Sequence, residues 1–307
     1  MRVIGPDEVR AAAPPPSVLD AVRGALIAHA EGRTTVPPPI HLAFPQADGD
    51  AHVKAGVVAG SATFTVKLAT GFYGNAARGL PSTGGLVVVA SAHTGEVLAV
   101  LDDRGWLTAA RTAAAAALAT DALTPPGPVT LGVVGTGVQA RLAAQWLRLL
   151  RPVERVLIAG RRPQAADALA RTVDGGVAAA LPEVLAEAGA IVTATASTAP
   201  LFPVAAAVPG THFTALGADM PGKQELPEAL FASATVVVDD LEQAVDHGDL
   251  AHAIRAGTAR AGAAMLLGAV LRDRRRPPPG ATTIADLTGV GALDAAVADS
   301  VLATIVG

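Results

Sequence analysis

The sequence predicts an α/β fold in two domains, one of them a doubly wound parallel sheet. Three observations carry this. Its 307 residues amount to about two domains at roughly 150 residues each. From Val129 onward, continuous apolar strands alternate with helical stretches, the order that builds βαβ units with both sheet faces covered. A Gly-x-Gly-x-x-Ala turn, Gly135 to Ala140, falls between the first of those strands and its helix.

The elements follow in order. Ser17 to Gly32 carries Val18, Val22, Leu26 and Ile27 on one helical face, with Ser17 as the expected N-cap and Gly32 as the stop. From Pro37 to Val100 the rhythm changes to short β-like runs (IHLAF, HVKAGVV, TFTVKLA, GGLVVVAS, EVLAVLD) separated by ADGD and HTGE turns. No crossover helices intervene, so this sheet should be antiparallel or mixed. Leu107 to Leu123 is an alanine-dominated helix closed by Pro125 and Pro126. That proline cluster is the expected boundary between residues 1–124 and 125–289. Beyond it, VTLGVVG, RVLIAG, AIVTATA, HFTALGA and TVVVDD read as strands, with helices over about 138–150 and 164–173. A helix is expected over Gly257–Leu271, and the tail ends in an apolar helix that pattern alone could assign to either domain.

Composition excludes several classes of function. The chain is 51% hydrophobic yet only 3% aromatic, and its net charge is −4, the opposite of the basic excess that a phosphate-backbone binder carries. Nucleic acid is therefore not an expected partner. The absence of cysteine removes disulfides, thiolate metal sites and a Cys nucleophile together, and suits a reducing cytoplasm. Prolines 200, 203 and 209 break the longest nearly charge-free stretch, so no membrane span is expected. The seven histidines include no HExxH pair, and no metal is expected.

The glycine turn is the strongest chemical signal. Gly135 permits the tight turn, Gly137 lets backbone approach a pyrophosphate, and Ala140 allows close helix–strand packing, the pattern of a Rossmann-type nucleotide site. Thr136, Val138 and Gln139 complete the turn, where free N–H groups and the helix dipole favour phosphate. An NAD site normally offers an acid at the end of the second strand. Here that strand ends Ile158-Ala159-Gly160-Arg161-Arg162, and two guanidinium groups suit a 2′-phosphate. NADP(H) is thus favoured over NAD(H). Thr195, in the AIVTATA stretch, joins the candidate cofactor-binding set.

With these stretches in view, the chain resembles the ornithine cyclodeaminase/μ-crystallin family over nearly its whole length. The matching segments are TFTVKLATGFYGN with Lys67, the RGLPSTGG to LTAARTAAA stretch with Arg111, LGVVGTGVQA, ALGADMPGKQEL with Asp219, and DLTGVGALDAAVA. GFYGN, the Lys54 stretch and DLTGVG are most similar to the branch associated with ectoine and hydroxyectoine utilisation. The resemblance implies a homodimer in which the N-terminal region, joined by the C-terminal helix 290–307, forms an α+β substrate-binding and dimerisation domain beside the Rossmann domain. It also implies hydride transfer between a nicotinamide cofactor and the α-carbon of an amino or imino acid. Lys67 and Arg111 would hold the substrate carboxylate, Asp219 would act as acid/base, and Ser82 matches a hydroxyl position near the substrate. Read alone, Lys67 and Arg111 could equally be surface residues and Asp219 a turn residue.

Two departures bear on substrate. A family Pro-Pro-Arg pattern reads Pro37-Pro38-Pro39 here, which removes one carboxylate-binding Arg. Thirteen residues before Lys67, where ornithine cyclodeaminases place an acid for the distal ammonium, stands Lys54. A like-charge pair about 5 Å apart at an effective dielectric of about 20 costs roughly 3 kcal/mol, which disfavours ornithine. A dehydrogenase or imine reductase is therefore the leading expectation. A cyclodeaminase with no net cofactor change and a non-catalytic nucleotide-binding protein are the alternatives.

Overall fold

The structure, a computed structural model, describes residues 1–306. The chain divides into two compact units, Met1–Arg111 with the segment from Val290 onward, and Thr112–Gly289. The division lies inside the alanine-rich helix, not at the proline cluster expected to mark it. The reason is that the second half of that helix bonds within the second unit. Thr120 Oγ1 is 2.9 Å from Thr214 Oγ1, and the Leu123 carbonyl accepts from Thr283 Oγ1 at 3.3 Å. Pro125 and Pro126 mark only the helix end.

In the first unit the strands are β1 (Arg2–Ile4), β2 (Thr34–Thr35), β3 (Ile40–Phe44), β4 (Gly49–Val58), β5 (Thr63–Phe72), β6 (Thr83–Ser91) and β7 (Val97–Leu101). They form a mixed sheet in the order β1-β7-β6-β5-β4-β2, with β3 also on β4. Every pair is antiparallel except β1 with β7. Helices α1 (Pro6–Ala11) and α2 (Pro15–Ala30) precede the main strands. The second has Pro14 as its N-cap, three residues before the expected Ser17, with no side-chain cap bond. Proline suits those first positions because its missing N–H has no helical acceptor there.

Helix α3 (Trp106–Leu123) runs from this unit into the next. The eight parallel strands of the second unit are β8 (Val129–Val134), β9 (Val153–Ala159), β10 (Gly176–Ala178), β11 (Ala190–Thr193), β12 (His212–Ala215), β13 (Thr235–Val238), β14 (Met265–Leu266) and β15 (Thr283–Asp286). Their order is β10-β9-β8-β11-β12-β15-β13-β14. The winding reverses between β8 and β11, the crevice where such sheets bind ligands. Around them lie α4 (Val138–Leu147), α5 (Pro163–Ala170), α6 (Leu181–Glu187), α7 (Leu241–His247), α8 (Asp249–Arg255) and α9 (Leu267–Asp273). Leu157, Val184, Ile191, Phe213 and Ile284 form part of one fully buried core. The helix expected over 257–271 is instead a turn, β14 and the start of α9. Gly257 closes α8 at φ +74°, and Met265–Leu266 pair with Val237–Val238.

The C-terminal helix α10 (Gly291–Val306) belongs to the first unit and packs on α2, β4 and β5. Its start touches the sheet backbone to backbone. A Cβ on Gly291 would lie 2.1 Å from the Ala55 carbonyl oxygen, and one on Gly56 2.4 Å from the Gly291 carbonyl carbon. Only glycine on both sides allows that approach, which brings Asp294 down onto the strands.

Candidate active site

Strand alternation puts Lys54 on β4 directly opposite Lys67 on β5, on the face that α10 covers. Both are buried, as is Arg111 on α3. Asp294 gathers two of them. Its Oδ2 lies 2.9 Å from Lys67 Nζ, and its Oδ1 accepts from Lys67 Nζ at 3.0 Å and from Arg111 Nε at 3.1 Å. Burial foremost, then the Arg111 charge, lowers the Lys67 pKa to about 7, while Asp294 works against that shift. The two cations lower the Asp294 carboxyl against the opposing effect of burial.

Arg111 spends only Nε on this pair. Its two terminal nitrogens make no hydrogen bond among the described residues, so the guanidinium fork remains available to an acceptor. Two cations share one carboxylate here, and the excess positive charge suits an anionic ligand. The same β4 face continues to His52, whose Nε2 is 3.3 Å from Asp50 Oδ1, and Asp50 Oδ2 accepts from the Tyr73 hydroxyl at 3.1 Å. Ser82 lies just before β6, where its carbonyl accepts the Phe72 N–H at 2.8 Å.

In the second unit, Gly135 follows β8 with φ +132°, and a Cβ there would sit 2.4 Å from the Ala194 carbonyl oxygen. Among the described residues nothing lies within 4 Å of where a Gly137 Cβ would be. That open space, beside a helix start with no side-chain cap, is what a diphosphate needs. The first-turn N–H groups of Val138, Gln139 and Ala140 have no acceptor within α4. Ala140 is fully buried, and a Cβ on Gly160 would meet Thr136 Cγ2 at 2.6 Å. The turn therefore fits a dinucleotide. Arg161 and Arg162 follow β9, both exposed.

Thr195 and Asp219 follow β11 and β12, two adjacent strands of the same sheet. Asp219 Oδ1 accepts from Lys223 Nζ at 2.9 Å. Thr195 N donates to Glu225 Oε1 at 2.7 Å. Asp294 and Glu225 were not singled out from sequence. Asp294 did leave a signal, since it is an acid in the otherwise apolar opening turns of GALDAAVADSVLATIV.

The fold and these residue groups define a chain of the dinucleotide-binding α/β class. Residues 8–307 match the ornithine cyclodeaminase/mu-crystallin family, and the chain belongs to that family; it is an enzyme. An uncharacterized cyclodeaminase of Sinorhizobium fredii is 37% identical over 91% of this chain and 86% of its own length. The iminosuccinate reductase of Paracoccus denitrificans, solved in complex with NAD+, is 31% identical, with a TM-score of 0.89 over 99% of this chain and 96% of that one. An archaeal alanine dehydrogenase dimer with bound NAD is 29% identical, with a TM-score of 0.91 over 100% and 96%. Among the described residues no helix is long and apolar enough to cross a membrane.

Proposed function

We propose that this chain is a nicotinamide-dependent amino-acid dehydrogenase or imine reductase, acting at the Cα–N bond of a small amino or imino acid. The observation that carries the reading is the fork of Arg111. Its Nε is fixed on Asp294 while its terminal nitrogens stay available, so a substrate carboxylate would meet a pre-oriented guanidinium beside Lys67. Each charge-assisted hydrogen bond there is worth roughly 1.5–3 kcal/mol.

The cofactor, when bound, supplies hydride acceptance or donation. The chain's own share is to hold the diphosphate at Gly135–Ala140, hold the carboxylate at Lys67 and Arg111, and move the amine proton at Asp219 Oδ. The named relatives that hold NAD support a nicotinamide cofactor, and exposed Arg161 and Arg162 support NADP(H) as the preferred form. Ser82 and Lys54 are assigned to the substrate side, and Lys54 speaks against a distal ammonium.

A homodimer is part of the proposal. Ile40, Val53, Leu68 and Leu86 stand in register across β3, β4, β5 and β6, on the face opposite Lys54 and Lys67. Ile40 is 58% exposed and Leu68 36%. This apolar row is suited to a second copy of the chain, and the similar archaeal alanine dehydrogenase is a dimer. The cysteine-free chain suits the cytoplasm, where we place it.

The test is absorbance at 340 nm with NADPH or NADH against pyruvate plus ammonium and Δ1-pyrroline-2-carboxylate, alongside ornithine and lysine with the oxidised cofactors. Net cofactor oxidation with the imines supports the reading. Cyclised product from a diamino acid with no net absorbance change identifies a cyclodeaminase instead. In D219N, turnover should fall by on the order of a hundredfold or more at unchanged cofactor affinity.

A further inference from the structure

Glu225 is fully buried in the second unit, in the loop beyond β12. Its two oxygens collect hydrogen bonds from both neighbouring strand ends. On the β11 side, Thr195 N donates to Oε1 at 2.7 Å, and Thr193 Oγ1 donates to Oε2 at 2.7 Å. On the β12 side, Leu216 N and Gly217 N donate to Oε2 at 3.2 and 2.7 Å. One carboxylate therefore ties together the segment carrying Thr195 and the segment that leads, two residues after Gly217, to Asp219.

The packing is as tight as the bonding. A Cβ on Gly217 would lie 2.2 Å from the Thr195 carbonyl oxygen and 2.5 Å from Glu225 Cδ, so the two segments cannot sit this close with any other residue there. Glu225 is itself fixed from behind. Asp249, at the start of α8, accepts both Glu225 N and Leu226 N through Oδ1, at 2.9 and 3.0 Å. Every partner of the Glu225 side chain is a donor, which only a carboxylate can satisfy in full. Glutamine would turn an NH2 group toward one set of N–H donors and leave them buried without an acceptor.

We infer that Glu225 is a positioning residue, a clasp that sets the spacing between the Thr195 turn and the Asp219 loop. This rests on the assignment of Thr195 to cofactor and Asp219 to proton transfer given above. A carboxylate without access to solvent cannot itself meet substrate, so its effect on the reaction must pass through those two segments. A displacement of about 1 Å in such a segment is enough to cost on the order of a hundredfold in rate.

The test uses the full-length chain as E225Q, D219N and the double variant, with T193V as the milder perturbation that removes one of the four hydrogen bonds. NADH fluorescence titration reads the Thr195 side. Turnover of Δ1-pyrroline-2-carboxylate, or of pyruvate with ammonium, reads the Asp219 side, and circular dichroism confirms equal folded content. E225Q should weaken NADH binding about tenfold and lower turnover about a hundredfold, with T193V severalfold affected in the same direction. In the D219N background the further loss of turnover from E225Q should shrink to less than about threefold, because both act through one group. NADH affinity within twofold of the unaltered chain, together with turnover losses that multiply in the double variant, would overturn the inference. Turnover by D219N alone at the unaltered rate is a separate result: it removes Asp219 from the reaction and leaves the NADH titration to decide on Glu225.

Discussion

Lys67 Nζ lies 2.9 Å from Asp294 Oδ2, and both side chains are 2% exposed. A pair so deep is costly to desolvate and contributes little net stability, but breaking it by removing one partner strands a buried charge. Because Arg111 shares the same carboxylate, losing Asp294 strands two cations. D294N should therefore lower unfolding free energy by about 3–5 kcal/mol, measured by urea denaturation. The same variant should weaken carboxylate binding, since the Arg111 fork loses its anchor. A D294N chain as stable as the unaltered one would show that solvent, and not Asp294, compensates these cations.

Lys67 also makes a pH prediction. Burial lowers its pKa from 10.5 to about 7. Between these values the unfolded chain binds a proton that the folded chain does not, so this residue's contribution to stability rises as pH climbs from 7 to 10.5 and is at its least below 7. Substrate binding should move in the opposite direction, because a carboxylate needs the ammonium. KM for an anionic imine should rise with pH above 7, approaching about tenfold per unit where Lys67 is mostly neutral. K67R, which stays charged, should flatten that rise. An equally steep rise in K67R would assign the titration to another group.

How far the site could be read beforehand follows from the physical range of each signal. The glycine turn was legible because backbone chemistry demands particular residues at fixed short spacing: Gly135 at φ +132°, Gly137 beside open space, Ala140 buried in the first turn of α4. The parallel sheet was legible through its continuous apolar strands. Lys67 and Arg111 stood out only through resemblance, because their partner lies 227 and 183 positions away, beyond any local pattern. Glu225 carries no local signal, since the donors to its side chain come from two other strand ends. The compact units divide within α3, at Arg111/Thr112, a point no local pattern marks, because proline reports where a helix stops and not which unit its flanks bond to.

His212 predicts acid sensitivity of the second unit. Its ring is buried between two hydroxyls, Nδ1 2.7 Å from Thr283 Oγ1 and Nε2 2.8 Å from Thr214 Oγ1. Burial, with the Arg151 charge second, lowers its pKa from 6.5 to about 3. In that window the unfolded chain holds the extra proton, so the His212 contribution falls as pH drops, by up to about 1.4 kcal/mol per unit. Asp286, raised by burial to about 7, works in the opposite sense, so the comparison must be between variants. H212Q should be less stable at pH 7 yet lose less between pH 6.5 and 4.5 than the unaltered chain. Parallel pH profiles for the two would remove His212 as the source.

Arg161 and Arg162 predict how the chain tells its cofactors apart. Both are exposed after β9 and make no side-chain hydrogen bond or ion pair among the described residues, so each can turn toward a ligand without breaking an existing contact. A 2′-phosphate would gain charge-assisted hydrogen bonds of roughly 1.5–3 kcal/mol each, which a 2′-hydroxyl would not. R161A/R162A should therefore weaken NADPH by at least about tenfold and leave NADH within about twofold, both read by fluorescence titration. The loss should shrink as salt rises, because exposed charges are screened. Equal weakening of both cofactors would mean that the arginines serve the fold of the turn, and a native preference for NADH would show that the ribose is read elsewhere.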